Sequence, residues 1–253
     1  MTATVHVSRP AEGVALIEID NPPANALGSA VGARLVAVLD ELDADLSVRA
    51  VVLAGRGRTF CTGFDLREVS GGRVTPAAAD DFNATLNRLE AFRAPVVAAV
   101  NGHAIGGGLE LAVVCDIRLA STRASFAAGG VSIGLMASVY RLPRLIGESA
   151  AKAMLLTGAP TDAQTALRYN LVAAVCEPHD LLPQALALAA RIASRAPLAV
   201  EGAKRMAGRA LDMTVAEGGR AMSREIAALT ATEDHAEAVA AFVARREPVF
   251  RRR

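Results

Sequence analysis

Tryptophan is absent from this 253-residue sequence, and aromatic residues make up only 4% of it. Stacking platforms for single-stranded nucleic acid are therefore scarce. An excess of one charge is missing too: 27 Lys and Arg stand against 26 Asp and Glu, a net charge of +1. That balance argues against a broad electrostatic footprint for nucleic acid or an anionic membrane, although a local basic patch fits within a neutral sum. No apolar run approaches the roughly 18 residues that span a bilayer. Residues 1–20 show no basic leader followed by an apolar stretch and a cleavage site, so a cytoplasmic protein is expected. Cysteine is sparse: Cys61, Cys115 and Cys176 are odd in number and form no CxxC pair, which argues against a disulfide framework and a structural zinc site. His6, His103, His179 and His235 do not take the HExxH spacing. These residues read as small buried side chains, and no metal site is expected.

What the sequence does hold is apolar substance, 52% against 21% charged, a globular balance with room for one large domain or two small ones. Its first half alternates strand and helix signals. Val14 to Ile19 is a strand candidate closed by Asn21-Pro22-Pro23. Ser29 is placed to cap a helix carrying Leu35, Val38, Leu39, Leu42 and Leu46 on one stripe. Ala50 to Ala54 and Val96 to Val100 read as buried strands, with a helix between them over Ala77 to Phe92. A further helix is expected from about Leu109 and a strand over Ile117 to Ala120. This alternation predicts an α/β architecture with parallel strands. From Ser149 onward the periods are helical, with Pro160, Pro178, Pro183 and Pro197 as punctuation. The organisation expected is an α/β core over residues 1–195 and a helical region over 196–253, with no linker tract between them.

Two glycine-rich segments follow buried strands. The first, Gly55-Arg56-Gly57 onward, opens like a dinucleotide-binding turn, but Phe60 stands at the third glycine position and no acidic residue follows about 20 positions on, which leaves a Rossmann oxidoreductase as the distant alternative. The second runs Asn101-Gly102-His103-Ala104-Ile105-Gly106-Gly107-Gly108-Leu109-Glu110-Leu111. Three consecutive glycines bare one face of a turn, so a ligand can reach backbone N–H groups at a helix N-terminus that favours negative charge. Glu110 falls in the first helical turn, facing the same space. Close helix–strand packing with an exposed Glu110 accounts for the same spacing.

Taken together, residues 60–66 (Phe-Cys-Thr-Gly-Phe-Asp-Leu) and 102–111 (Gly-His-Ala-Ile-Gly-Gly-Gly-Leu-Glu-Leu) closely resemble the two signatures of the enoyl-CoA hydratase/isomerase (crotonase) superfamily. The similarity extends to residues 21–27, 115–120, 142–147 and 241–250, nearly the whole chain. The resemblance implies a spiral of ββα turns followed by a C-terminal helical oligomerisation region, in a homotrimer or homohexamer. It implies an acyl-CoA thioester substrate and no separate cofactor, since CoA is part of that substrate. On matching positions, the N–H groups of Phe64 and Gly107 form an oxyanion hole for the thioester carbonyl, and Glu110 is the general acid/base. Ala24, Thr62, Asp65 and Leu66 match positions in and around the CoA channel, Arg67 a position near the CoA phosphates, and Phe242 and Arg245 the adenine end. The Arg251-Arg252-Arg253 tail reads instead as a solvated end.

One position departs from the pattern. Hydratases of the family place a second glutamate across the reacting water, and the matching residue here is Gly130. The resemblance therefore implies an enolate-forming acyl-CoA enzyme with weakened or altered hydratase activity. C–C hydrolysis, decarboxylation, or binding of an acyl-CoA without turnover are the alternatives. Ser132, Ser138 and Tyr140 follow Gly130 closely enough to supply a polar group, with Tyr140 the candidate donor to a developing charge.

Overall fold

A computed structural model of the chain describes residues 4–68 and 75–253, and of Arg67 the backbone alone. The chain opens with an antiparallel pair, β1 (Thr4–Ala11) and β2 (Val14–Asp20), followed by α1 (Ser29–Ala44). It then runs three times through a long strand, a short strand and a helical segment. These turns are β3 (Ala50–Gly55), β4 (Thr59–Cys61) and α2 (Pro76–Glu90), then β5 (Val96–Val100), β6 (His103–Ile105) and α3 (Gly107–Val113). The third is β7 (Ile117–Ser121) and β8 (Ser125–Ala127), with a 3-10 turn over Gly129–Ile133 leading to α4 (Arg141–Ile146). The long strands line up in the order β1-β2-β3-β5-β7 and the short ones as β4-β6-β8, parallel beyond β2. Each turn thus stacks on the last, and the chain winds as a spiral of ββα units.

The rest is mainly helical: α5 (Glu148–Thr157), β9 (Thr161–Asp162), α6 (Ala163–Arg168), β10 (Ala174–Cys176), α7 (Pro178–Ala193), α8 (Pro197–Gly208), α9 (Val215–Thr230) and α10 (Glu233–Ala244). β9 and β10 are additions to the expected helical half. They extend the short sheet past β8 and the long sheet past β7. The expected boundary at residue 195 falls in the turn between α7 and α8.

Alternation along the long strands divides the core in two. Val51 and Leu53 face inward with Leu35, Val38 and Leu39 of α1, Leu86 and Leu89 of α2, and Leu109 and Leu111 of α3. Ala50, Val52 and Ala54 face the other way, onto Leu181, Ala185, Ala189 and Ala193 of α7. Four-residue spacing puts those α7 residues on one face, and three alanines let the helix settle close to the sheet. With both faces covered, the strands read as unbroken apolar runs.

Three sequence expectations are corrected here. Leu46 lies past the end of α1 and is 53% exposed, so the stripe ends at Leu42. Ser29 is the first helical residue rather than the cap; Glu68 reaches across, accepting from the Ser29 N–H at 2.7 Å and its hydroxyl at 2.9 Å. Cys61 and Cys115 are buried as expected, but His103, His179 and His235 are exposed, where an imidazole keeps its water.

The triple-arginine tail is also held rather than free. Asp234, buried at the start of α10, accepts from the N–H groups of Arg251 and Arg252 at 2.7 and 2.9 Å. Glu201 of α8 takes the Arg252 guanidinium at 2.7 Å and the Arg93 guanidinium at 2.9 Å.

Candidate active site

Glycine brings the two loops together. At Gly63, whose φ is +81°, an added Cβ would stand 2.5 Å from the Gly107 nitrogen. A Cβ on Gly108 would strike the Cys61 carbonyl, and one on Gly107 would strike the ring of Phe82. Side chains at these positions would force the segments apart, so the close approach depends on glycine. Phe64, one residue on from Gly63, thus lies beside the first turn of α3.

The same loop is tied on its other side to residues 21–27. Leu27 N–H donates to the Gly63 carbonyl at 2.7 Å, in a parallel bridge between Leu27 and Phe64. A bridge in that register bonds Leu27 to the residues flanking Phe64 and leaves the Phe64 N–H out of the pairing. Gly107, the first residue of α3, likewise has no partner for its N–H within its helix. Thr62 Oγ1 donates to the Ala24 carbonyl at 3.1 Å, so both residues serve to join the loops. Asn25, buried with a left-handed φ of +53°, donates its side-chain amide to the carbonyls of Arg56 and Thr59 at 2.9 and 2.7 Å.

Glu110 sits in the first turn of α3, half-buried. Its Oε1 accepts from the Ser138 N–H at 2.7 Å. Burial pushes its carboxyl above the ordinary glutamate range, opposed by the Ser138 N–H and by the positive charge of Arg141. Arg141 is itself buried and donates to Glu90 and Asn87 of α2, each at 2.8 Å. The far end of α3 is held by the buried Arg118 guanidinium, which donates to the Cys115 carbonyl at 2.5 Å and the Leu171 carbonyl at 2.7 Å. Asp116 accepts from the Val96 N–H at 2.7 Å and from Lys204 at 2.8 Å, and so ties the start of β7 to β5 and α8.

Gly130 lies in the 3-10 turn, buried, where an added Cβ would come within 2.9 Å of the Leu135 carbonyl oxygen. The turn closes on itself there through Leu135 N–H to Gly130 O at 2.8 Å. Tyr140 is exposed, its ring centroid 4.7 Å from the Arg141 guanidinium carbon. Asp65 is buried and Leu66 exposed in the turn that follows the first loop, and the Arg67 side chain lies outside the described residues. Phe242 and Arg245 stand on the surface of α10 and its left-handed cap, an element packed on α9.

Two residues at this site escaped sequence reasoning. Phe82, which packs its ring over Gly107 and edge-on to Phe64 with centroids 6.1 Å apart, reads in sequence as one more core residue of α2. Arg141 reads as a surface charge, because its carboxylate partner, Glu90, is 51 residues away.

A spiral of ββα turns, with backbone N–H groups bared at one helix start and a carboxyl one turn on, defines the crotonase class of fold. Comparison with known proteins agrees. The model of the enoyl-CoA hydratase/isomerase family matches residues 9–253, and the chain belongs to that family. It is 40% identical over 244 residues to the probable enoyl-CoA hydratase of Rhizobium meliloti, covering 95% of each chain. To the (E)-benzylidenesuccinyl-CoA hydratase of Thauera aromatica it is 37% identical over 258 residues, covering 99% of each. The crystal structure of enoyl-CoA hydratase from Bacillus anthracis superposes with a TM-score of 0.95 at 31% identity, covering 98% of this chain and 99% of that one.

Proposed function

We propose that this family member acts on an acyl-CoA thioester through an enolate held by the N–H groups of Phe64 and Gly107, with Glu110 as general acid/base. The observation that carries the reading is the abutment of the two loops at Gly63 and Gly107. Charge that builds on the thioester oxygen meets two preorganised donors there, and losing one such donor typically costs about 2.7–4 kcal/mol of transition-state stabilisation. In the hydration direction, Glu110 takes a proton from water as its oxygen bonds to C3. The double-bond electrons move onto the thioester oxygen, and the same proton returns to C2. CoA belongs to the substrate, so the reading calls for no cofactor.

With Gly130 in place of a second carboxylate, one group must both orient water and carry the proton. Weak hydration of simple 2-enoyl-CoA is the expected result. Turnover of crotonyl-CoA tests this: a rate well above background that Glu110→Gln abolishes supports the reading, and a rate typical of two-glutamate hydratases overturns the claim of weakness. Gly130 also favours a second reading, C–C hydrolysis or decarboxylation of a CoA thioester through the same enolate. Products from malonyl-type and β-keto thioesters distinguish it. Binding without turnover is the remaining outcome. Ala24, Thr62, Asp65, Leu66, Arg67, Phe242 and Arg245 are proposed for the CoA end, and Tyr140 as an auxiliary donor. A homotrimer or homohexamer is the proposed assembly.

A further inference from the structure

Ser138 carries two irregularities beside Glu110. Its backbone is left-handed, with φ +55°, in a non-glycine residue. Such a conformation is disfavoured for a side chain with a Cβ, and it persists where the surroundings impose it. Its hydroxyl is buried with the residue only 2% exposed, and it makes no hydrogen bond of full geometry among the described residues. A glycine would take the backbone angle freely and bury no hydroxyl. The side chain is thus kept at a place where both packing and backbone favour its loss.

Its surroundings give it a use. The left-handed turn aims the Ser138 N–H at Glu110 Oε1, 2.7 Å away, while the Ser138 carbonyl accepts from Leu142 N–H at 3.0 Å and anchors the residue to α4. The unpartnered hydroxyl is carried on the residue whose own N–H meets this carboxylate, one short side chain away from it. We propose that Ser138 is the positioning residue of Glu110: its N–H fixes one carboxyl oxygen, and its hydroxyl closes a second hydrogen bond to that carboxyl as the proton comes and goes. A hydroxyl suits this because it donates to a carboxylate and accepts from a carboxylic acid by rotating. The proton that Glu110 takes up is the one it returns, and Ser138 neither gains nor loses one. Within a site that has Gly130 where its family places a carboxylate, this gives the single remaining carboxyl a partner in both of its states.

The proposal rests on the reading of Glu110 as the acid/base, and its test is chosen to separate the two. Arg141 of α4 is the charged group facing Glu110, its guanidinium shared with Glu90 of α2. Of the strands packed on α3, β4 brings the buried Cys61 thiol against Gly108, and the His103 side chain of β6 is exposed. None of these is altered by changing Ser138. In the full-length protein with 13C-labelled glutamate, Glu110→Gln identifies the Glu110 carboxyl resonance, which is then titrated in wild type, Ser138→Gly and Ser138→Ala.

The expected result is a Glu110 midpoint higher by about 0.5–1 pH unit in both variants, since each loses a donor to the charged form while keeping the backbone N–H. Ser138→Gly, freed of the left-handed constraint, should unfold at a temperature no lower than wild type. With crotonyl-CoA, the acid limb of kcat should move up with the midpoint while KM stays within about twofold. An unchanged Glu110 midpoint in both variants overturns the proposal. If the midpoint moves and no acyl-CoA is turned over by any form, Ser138 still positions Glu110, and it is the enzymatic reading that fails.

Discussion

Burial raises the Glu110 carboxyl above the ordinary glutamate range, and that shift has opposite effects on stability and activity. A carboxyl whose pKa folding raises binds its proton more tightly in the folded chain. It therefore favours the fold below the ordinary carboxylate range, and this contribution is lost as pH rises through and above that range. Glu110→Gln, which still accepts from the Ser138 N–H, should raise the thermal midpoint at neutral pH and leave it unimproved near pH 4. The same change should lower acyl-CoA turnover by about 10²–10⁴-fold, the usual contribution of a general acid/base, with acyl-CoA affinity retained in equilibrium titration. Gly130→Glu makes the converse prediction. Its Cβ would press on the Leu135 carbonyl, so the variant should lose about 1–3 kcal/mol in urea unfolding and gain no hydratase activity. At this scale Glu110, Gly107 and Gly63 were legible in the sequence, because glycine spacing and a carboxyl one helical turn on are local patterns. Phe82 and Arg141 were not, since the Phe82 ring reaches Gly107, and Arg141 reaches the surroundings of Glu110, only through the folded arrangement of distant segments.

Among the elements, the connections that hold the site in place are long-range. Asn25 joins the loop after β2 to the turn between β3 and β4 through two carbonyls, from a left-handed backbone that asparagine tolerates better than most residues. Asn25→Ala removes both bonds from these part-buried carbonyls and should destabilise the fold by about 1–3 kcal/mol by urea titration. The tail supplies a second case. Glu201→Ala removes one partner of the largely buried Arg93, which keeps Asp43 and the Val48 and Asp45 carbonyls, and frees Arg252, so a loss of about 1.5–3 kcal/mol is expected. Heat and urea scans should show this loss without a change in the Glu110 carboxyl resonance. Alternating apolar strands and amphipathic helices made β2, β3, β5, α1 and α2 readable. β9 and β10, with two and three residues, are too short to show a period and exist through pairing with β8 and β7. The tail read as solvated because Asp234 and Glu201, which hold it, are distant in sequence.

For the molecule as a whole, near-neutral charge and scarce aromatics leave a phosphate-bearing small ligand open while setting aside a polyanion. The helices after Pro197 carry large exposed apolar residues, with Val215 95%, Phe242 85% and Val243 77% exposed. Their contact with further copies would remove that surface from water, and light scattering should return a mass of three or six chains. In the function proposed, an acyl-CoA thioester passes through an enolate at Phe64 and Gly107 under the control of Glu110. Every route considered, hydration, C–C hydrolysis or decarboxylation, ends with a solvent proton delivered to C2. Incubation with a panel of enoyl-, β-keto- and malonyl-type CoA thioesters in D2O, read by mass spectrometry, therefore reports on the enolate itself. A product with carbon-bound deuterium at C2 is expected from at least one thioester, formed at least about 100-fold more slowly by Glu110→Gln. No deuterated product from any thioester, or equal labelling by wild type and Glu110→Gln, would contradict it.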